Sequence, residues 1–114
     1  MTRALMFLFL LAVPAQAQDL GDATRGKEIF LRDNCYTCHG TTGAGGGALG
    51  GPRQAHAGLT PNAISNELRH PRAIMPAYSE KILSDAQAAD IVAYVQSLSR
   101  EPAADAKTIP LLNQ

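Results

Sequence analysis

The 114-residue chain predicts a small all-α domain, and three features carry that prediction. Apolar residues recur at helical rather than alternating spacing, three stretches open on residues that cap helix N-termini, and no Val/Ile-rich run suited to a strand occurs. The length allows one domain. A hydrophobic content of 46% with 18% charged residues describes a globular chain rather than a disordered one. Its 10 Lys and Arg balance 10 Asp and Glu, which argues against a nucleic-acid surface or an acidic tail.

The chain opens on MTRALMFLFLLAVPAQA, with one positive charge at Arg3, an apolar run over residues 4–13 and a close on Ala15-Gln16-Ala17. This is the pattern of a cleaved secretory signal over residues 1–17. The run is half of the roughly 20 apolar residues that a membrane-spanning helix needs. No transmembrane anchor is therefore expected after cleavage, and the expected location is the periplasm. Residues 18–100 form the domain. Residues 101–114 form a tail, Pro/Ala-rich and then apolar at Ile109, Leu111 and Leu112, which fits either a frayed end or a segment that docks on an enzyme subunit.

Within the domain a first helix is expected from about 22 to 33, capped by Asp22 and presenting Ala23, Gly26, Phe30 and Leu31. Another takes Thr60 as cap and Pro61 in its first position, offers Ile64 and Leu68, and ends near His70-Pro71. The last runs from about 84 to 99. It opens on Ser84-Asp85-Ala86-Gln87, a capping box, and its stripe is Ala88, Ile91, Val92, Val95 and Leu98.

The chemistry sits between the first two of these. Cys35 and Cys38 lie three positions apart, so a disulfide between them would close a tiny loop and restrict little of the unfolded chain. His39 follows directly, and Cys35-Tyr36-Thr37-Cys38-His39 is the C-x-x-C-H attachment pattern of a c-type haem. Two thiols on one helical turn can add to the two vinyl groups of a porphyrin as thioethers, and the adjacent imidazole can bind the iron from below. A thioredoxin-type redox pair would need a βαβ context that the chain lacks. A zinc site would have to use the adjacent Cys38 and His39, a poor chelate, with only His56 and His70 to complete it.

A second axial ligand is then needed. Met1 and Met6 leave with the signal, so Met75 is the remaining methionine. Pro71 and Pro76 stand on either side of it and disfavour a helix through this segment, which suits an extended arm carrying a thioether. His70 and His56 are the alternative ligands.

With these residues in hand, the domain resembles a class I monohaem bacterial cytochrome c over nearly all of residues 18–100. Gly26-Lys27-Glu28-Ile29-Phe30 resembles that family's N-terminal helix, where the glycine admits the C-terminal helix and an aromatic packs at the crossing. Ile91-Val92-Ala93-Tyr94 resembles the C-terminal helix, with Tyr94 as the opposing aromatic. The resemblance implies that the Pro52 carbonyl in Gly51-Pro52 accepts the ring N–H of His39, and that Met75-Pro76 holds the sixth ligand. It implies three to four helices wrapped around one covalently attached haem. The chain departs from the best-known members in having no Trp to hold a haem propionate. Arg53, Arg69 and Arg72 are the candidates by charge, with Arg72 favoured for its closeness to Met75.

Gly40 to Gly51 is dense in glycine but lacks the Gly-Lys-Ser/Thr ending of a phosphate loop. It is read as a segment that wraps the haem edge, where absent side chains permit close approach. The resemblance implies an electron carrier rather than an enzyme, serving redox partner proteins either as a mobile carrier to a respiratory complex or as the cytochrome subunit of a periplasmic dehydrogenase. A haem-based sensor or ligand-binding protein with a labile sixth position is the alternative. With Phe30, Tyr36, Tyr78 and Tyr94 as its aromatics, the domain needs the apolar disc of a porphyrin at its centre, at roughly 25 cal/mol per Å² buried. A Cys35→Ala/Cys38→Ala variant without haem is expected to be largely unfolded, as read by the loss of a cooperative thermal transition.

Overall fold

The computed structural model describes residues 20–100. Four helices follow one another without a strand among the described residues: α1 (Ala23–Arg32), α2 (Tyr36–His39), α3 (Pro61–Arg69) and α4 (Asp85–Arg100). The expected signal at residues 1–17 and the expected tail at 101–114 lie outside the described residues.

Each predicted start is made by its predicted cap. The Asp22 carboxylate accepts the Arg25 amide at 2.9 Å, and the Thr60 hydroxyl accepts the Ala63 amide at 3.2 Å, with Pro61 in the first helical turn. At α4 the capping box is reciprocal: the Gln87 amide donates to Ser84 Oγ at 3.3 Å while Gln87 Oε1 accepts the Ser84 amide at 3.0 Å.

α1 and α4 cross at Gly26. A Cβ there would overlap the Asp90 carbonyl and press on Tyr94 Cβ, so the backbones meet more closely than any other residue allows. One turn along, Phe30 and Tyr94 pack edge to face with centroids 5.3 Å apart and planes at 69°. The buried positions of α1 are Gly26, Ile29 and Phe30. Ile29 therefore takes the core place expected of Leu31, which is 41% exposed. The crossing centres the buried face on residues 26, 29 and 30, and Leu31 falls about 100° round the helix from its neighbour.

The core gathers Ile29, Ile64, Leu68, Leu83, Ala88, Ile91 and Val95, with Leu59, Met75, Tyr78 and Val92 packed against it. Among the α4 residues expected inside, Val92 and Leu98 are half-buried. Asp90 shares the buried face at 5% exposure. Its carboxylate accepts the Asp22 amide at 2.6 Å and the Arg25 Nε and Nη2 at 2.9 Å each. The Arg25 guanidinium, together with the Asp22 amide, holds the Asp90 carboxyl below its usual range against the opposing effect of burial.

Two outcomes follow from this crossing. Gly26→Val should lower stability by about 3 kcal/mol through overpacking, measured by urea unfolding of the haem-loaded protein. Because the folded pKa of Asp90 is depressed, its contribution is complete above the ordinary aspartate value and is lost as pH falls below about 4, where the unfolded chain binds more protons. Asp90→Asn should flatten that acid limb of the urea midpoint and lower stability by about 2 kcal/mol at neutral pH.

Candidate haem site

α1 feeds straight into the attachment turn. Its last carbonyls are taken by the following chain, with the Asp33 amide donating to Ile29 O at 2.8 Å and the Cys35 amide to Phe30 O at 3.0 Å. The reversal between them uses Asn34 at φ 60°, a left-handed position that Asn tolerates. Cys35 then stands at the head of α2. The Cys38 and His39 amides both donate to the Cys35 carbonyl, at 3.2 and 3.0 Å, so the three side chains leave a single helical turn.

Neither cysteine is in a disulfide, and both are half-buried. Burial, and then the nearby Asp33 carboxylate, push the Cys35 thiol up, opposed by a hydrogen bond with the Tyr78 side chain. Tyr78 itself is pushed up to about 12, first by burial and then by its closeness to Cys35.

His39 is buried at 8% exposure, with its Nδ1 2.9 Å from the Pro52 carbonyl oxygen. A carbonyl can only accept, so Nδ1 carries the proton and the Nε2 lone pair is left for a metal. This is the contact that the resemblance implied. Pro52 is brought there by a loop anchored on the far end of α4: the His56 amide donates to Leu98 O at 3.1 Å and the Leu59 amide to the buried Ser99 Oγ at 2.5 Å.

The glycine-rich stretch lies against the attachment helix. It packs on the backbone of α2, with the Gly45 amide donating to His39 O at 2.8 Å and the Gly47 amide to Cys38 O at 3.0 Å. A Cβ at Gly47 would overlap the Thr37 carbonyl, and one at Gly51 would overlap Cys38. These carbonyls are the orphans of a helix of four residues, and only a chain without side chains can come close enough to satisfy them.

Met75 is half-buried and packs on the core cluster. Of the arginines considered for a propionate, Arg72 is turned to solvent at 90% exposure, because Glu67 accepts both its Nε at 3.0 Å and its amide at 2.9 Å. Arg53 is exposed and lines a recess with Lys27, Thr41, Tyr94 and Leu98, a recess that none of Cys35, Cys38, His39 or Met75 lines. Arg69 is the most enclosed of the three at 20% exposure and is bound to protein carbonyls. His70 and His56, the alternative ligands, are both exposed.

This donor set, two cysteines outside any disulfide with an imidazole whose outer nitrogen is committed to a carbonyl and a thioether packed on the core, fits haem c. Residues 21–95 match the family model described as cytochrome c oxidase, cbb3-type, subunit III. The chain belongs to that family of c-type cytochromes. Haem c binding and electron transfer come with that membership. The cytochrome is 33% identical over 88 residues to the cytochrome bc1 complex cytochrome c subunit of Corynebacterium diphtheriae, covering 74% of this chain and 30% of that protein. It is 31% identical over 101 residues to the cbb3-type cytochrome c oxidase subunit CcoP of Rhodobacter capsulatus, covering 79% of this chain and 34% of that protein. It thus spans about a third of the length of these relatives. Among solved structures it is similar to dihydro-heme d1 dehydrogenase NirN in complex with DHE, with a TM-score of 0.54 and 29% identity over 76% of this chain and 19% of that one.

Sequence reasoning passed over Asn34, Asp90 and Ser99, and considered Arg69 only for a propionate and Tyr78 only as one of the aromatics. Asp90 carried a readable signal, an acid on the apolar face of the last helix, while the others are legible only once the loops have folded. Gly51→Val should cut the fraction of chain that acquires haem by at least about tenfold, since its side chain would displace the Cys38 carbonyl against which the attachment turn is built. Haem staining against total protein reads this directly.

Proposed function

We propose that this cytochrome carries one electron on a single haem held by thioether bonds from Cys35 and Cys38, with His39 and Met75 as axial ligands. The observation that carries this reading is the hydrogen bond from His39 Nδ1 to the Pro52 carbonyl, which sets the tautomer and aims the basic nitrogen of the residue that follows the C-x-x-C pair. Haem c, when bound, supplies one-electron iron chemistry.

The chain's own groups decide what kind. With His39 on one face and Met75 on the other, no position is left for oxygen or a substrate, so transfer rather than catalysis at the metal is favoured. The soft thioether favours the reduced state. Burial does the same, because the oxidised centre carries one more positive charge into a low dielectric. Neither ligand has to leave when the oxidation state changes, which keeps reorganisation small.

The partners are redox proteins. The named relatives belong to a bc1 complex and a cbb3 oxidase, which supports a respiratory complex as donor or acceptor, and the similarity to part of a dehydrogenase supports the subunit alternative. The proposed location is the periplasm, after removal of residues 1–17. No helix among the described residues is long and apolar enough to cross a membrane.

Mass spectrometry of the exported protein should show the polypeptide plus one haem, and the bare polypeptide mass would overturn the reading. The ferric protein should show the weak sulfur-to-iron band and the ferrous protein should be inert to carbon monoxide. Met75→Ala should lose the band and bind carbon monoxide fully. Rapid binding by the unaltered protein would favour a sensor with a labile sixth position instead.

A further inference from the structure

Arg69 has no part in the chemistry described so far, yet it is the most enclosed of the ion-paired arginines among the described residues, with 20% of its side chain exposed. Its Nη1 donates to two main-chain carbonyls, Tyr78 O and Leu83 O, at 2.8 Å each, and its Nη2 donates to Asp85 at 2.7 Å. Those carbonyls bracket the turn in which the Ile82 and Leu83 amides both donate to Ser79 O. The Tyr78 amide also donates to Leu68 O at 2.9 Å, next to Arg69 in the chain.

The chain therefore leaves α3 after Arg69, runs out through Met75 and returns to Arg69 at Tyr78. The segment 70–77 is a loop pinched at its base. Inside it Pro71 and Pro76 stiffen the backbone, and Ala73 sits at φ 59°, a strained conformation that persists only where the surroundings impose it. Ile74 next to Met75 is 81% exposed, so apart from the core contact of Met75 and the Glu67 hold on Arg72 little packing locates this arm. The base adds the firmest hold, and of its four hydrogen bonds three come from Arg69, two of them from Nη1.

We propose that Arg69 is the positioning residue for the sixth ligand: by clamping Tyr78 O and Leu83 O it holds the Met75 thioether on the haem face and keeps the sixth position closed. The proposal rests on the assignment of Met75 as that ligand. Charge-assisted donation to a carbonyl is stronger than a neutral hydrogen bond, and a planar fork reaches both carbonyls and Asp85 together where an ammonium would share itself among them. Removing the fork lengthens the free loop and leaves two carbonyls to water, without touching the α1/α4 crossing.

The test uses full-chain, haem-loaded protein with Arg69→Met, which keeps the side chain's length and removes its donors, and Arg69→Lys, which keeps the charge. Two readouts are followed along one urea titration: the ferric sulfur-to-iron band and far-ultraviolet helix content. In Arg69→Met the band should vanish at urea concentrations where helix content is still native, and the ferrous protein should bind carbon monoxide at least about tenfold more readily than the unaltered protein. Arg69→Lys should lie between the two. Loss of band and helix in a single transition in both variants, with inertness to carbon monoxide retained until unfolding, would reduce Arg69 to a general stabiliser and overturn the inference. If Arg69→Met does not fold, the same separation of band from helix is read in Arg69→Lys. A Met75→Ala variant that keeps the band would overturn the ligand assignment itself, and with it this inference, whereas band loss in Met75→Ala alone overturns only the role of Arg69.

Discussion

Where Gly26 lets α1 lie against the Asp90 carbonyl of α4, the relation between the two ends of the haem site is set. α1 passes through Asn34 into the turn that carries Cys35, Cys38 and His39. The C-terminal end of α4 holds the loop that carries Pro52, through Leu98 O and Ser99 Oγ. His39 Nδ1 and the Pro52 carbonyl thus arrive at 2.9 Å from opposite partners in one crossing. The Phe30–Tyr94 contact and the Asp90 carboxylate, which gathers Arg25 and the Asp22 amide, lock the angle of that crossing.

A small domain with few aromatics reaches an ordered site by spending backbone hydrogen bonds where side chains are scarce. The stretch from Gly40 to Gly51 shows this best. Its glycines approach the carbonyls of a four-residue helix, which would otherwise be left without partners, and so make a rigid platform of the attachment turn. Flexibility of glycine in the unfolded chain opposes this ordering, which is consistent with a fold completed only around a large apolar cofactor.

The two sides of the proposed site, His39 and Met75, are built differently. The His39 face is held by helices and by a carbonyl that can only accept. The Met75 face is a loop returning to the end of α3, with Arg69 and the Tyr78 amide at its base and Tyr78 also reaching Cys35. Along its length this arm is held by the Glu67 carboxylate on the Arg72 amide and by the core contact of Met75, and at its foot by Arg69 and the Tyr78 amide.

Much of this was readable from residue types alone. The caps at Asp22, Thr60 and Ser84 are local, since each depends on a side chain meeting an amide two or three residues on, and helical spacing marked Ile64, Leu68, Ala88, Ile91 and Val95 for the core. The C-x-x-C-H turn is equally local, because one helical turn suffices to bring its three side chains to one side. Which neighbour an arginine chooses is decided elsewhere: Arg72 goes to Glu67 and solvent while Arg69 clamps the Met75 loop, although both lie within a few residues of the methionine. The choice of Ile29 over Leu31, the burial of Asp90 and the placement of the glycine loop on α2 are of the same kind. Local chemistry wrote the helices and the attachment turn, whereas contacts between residues distant in the chain depend on how close two backbones come, and only the folded crossing and its loops settle that distance.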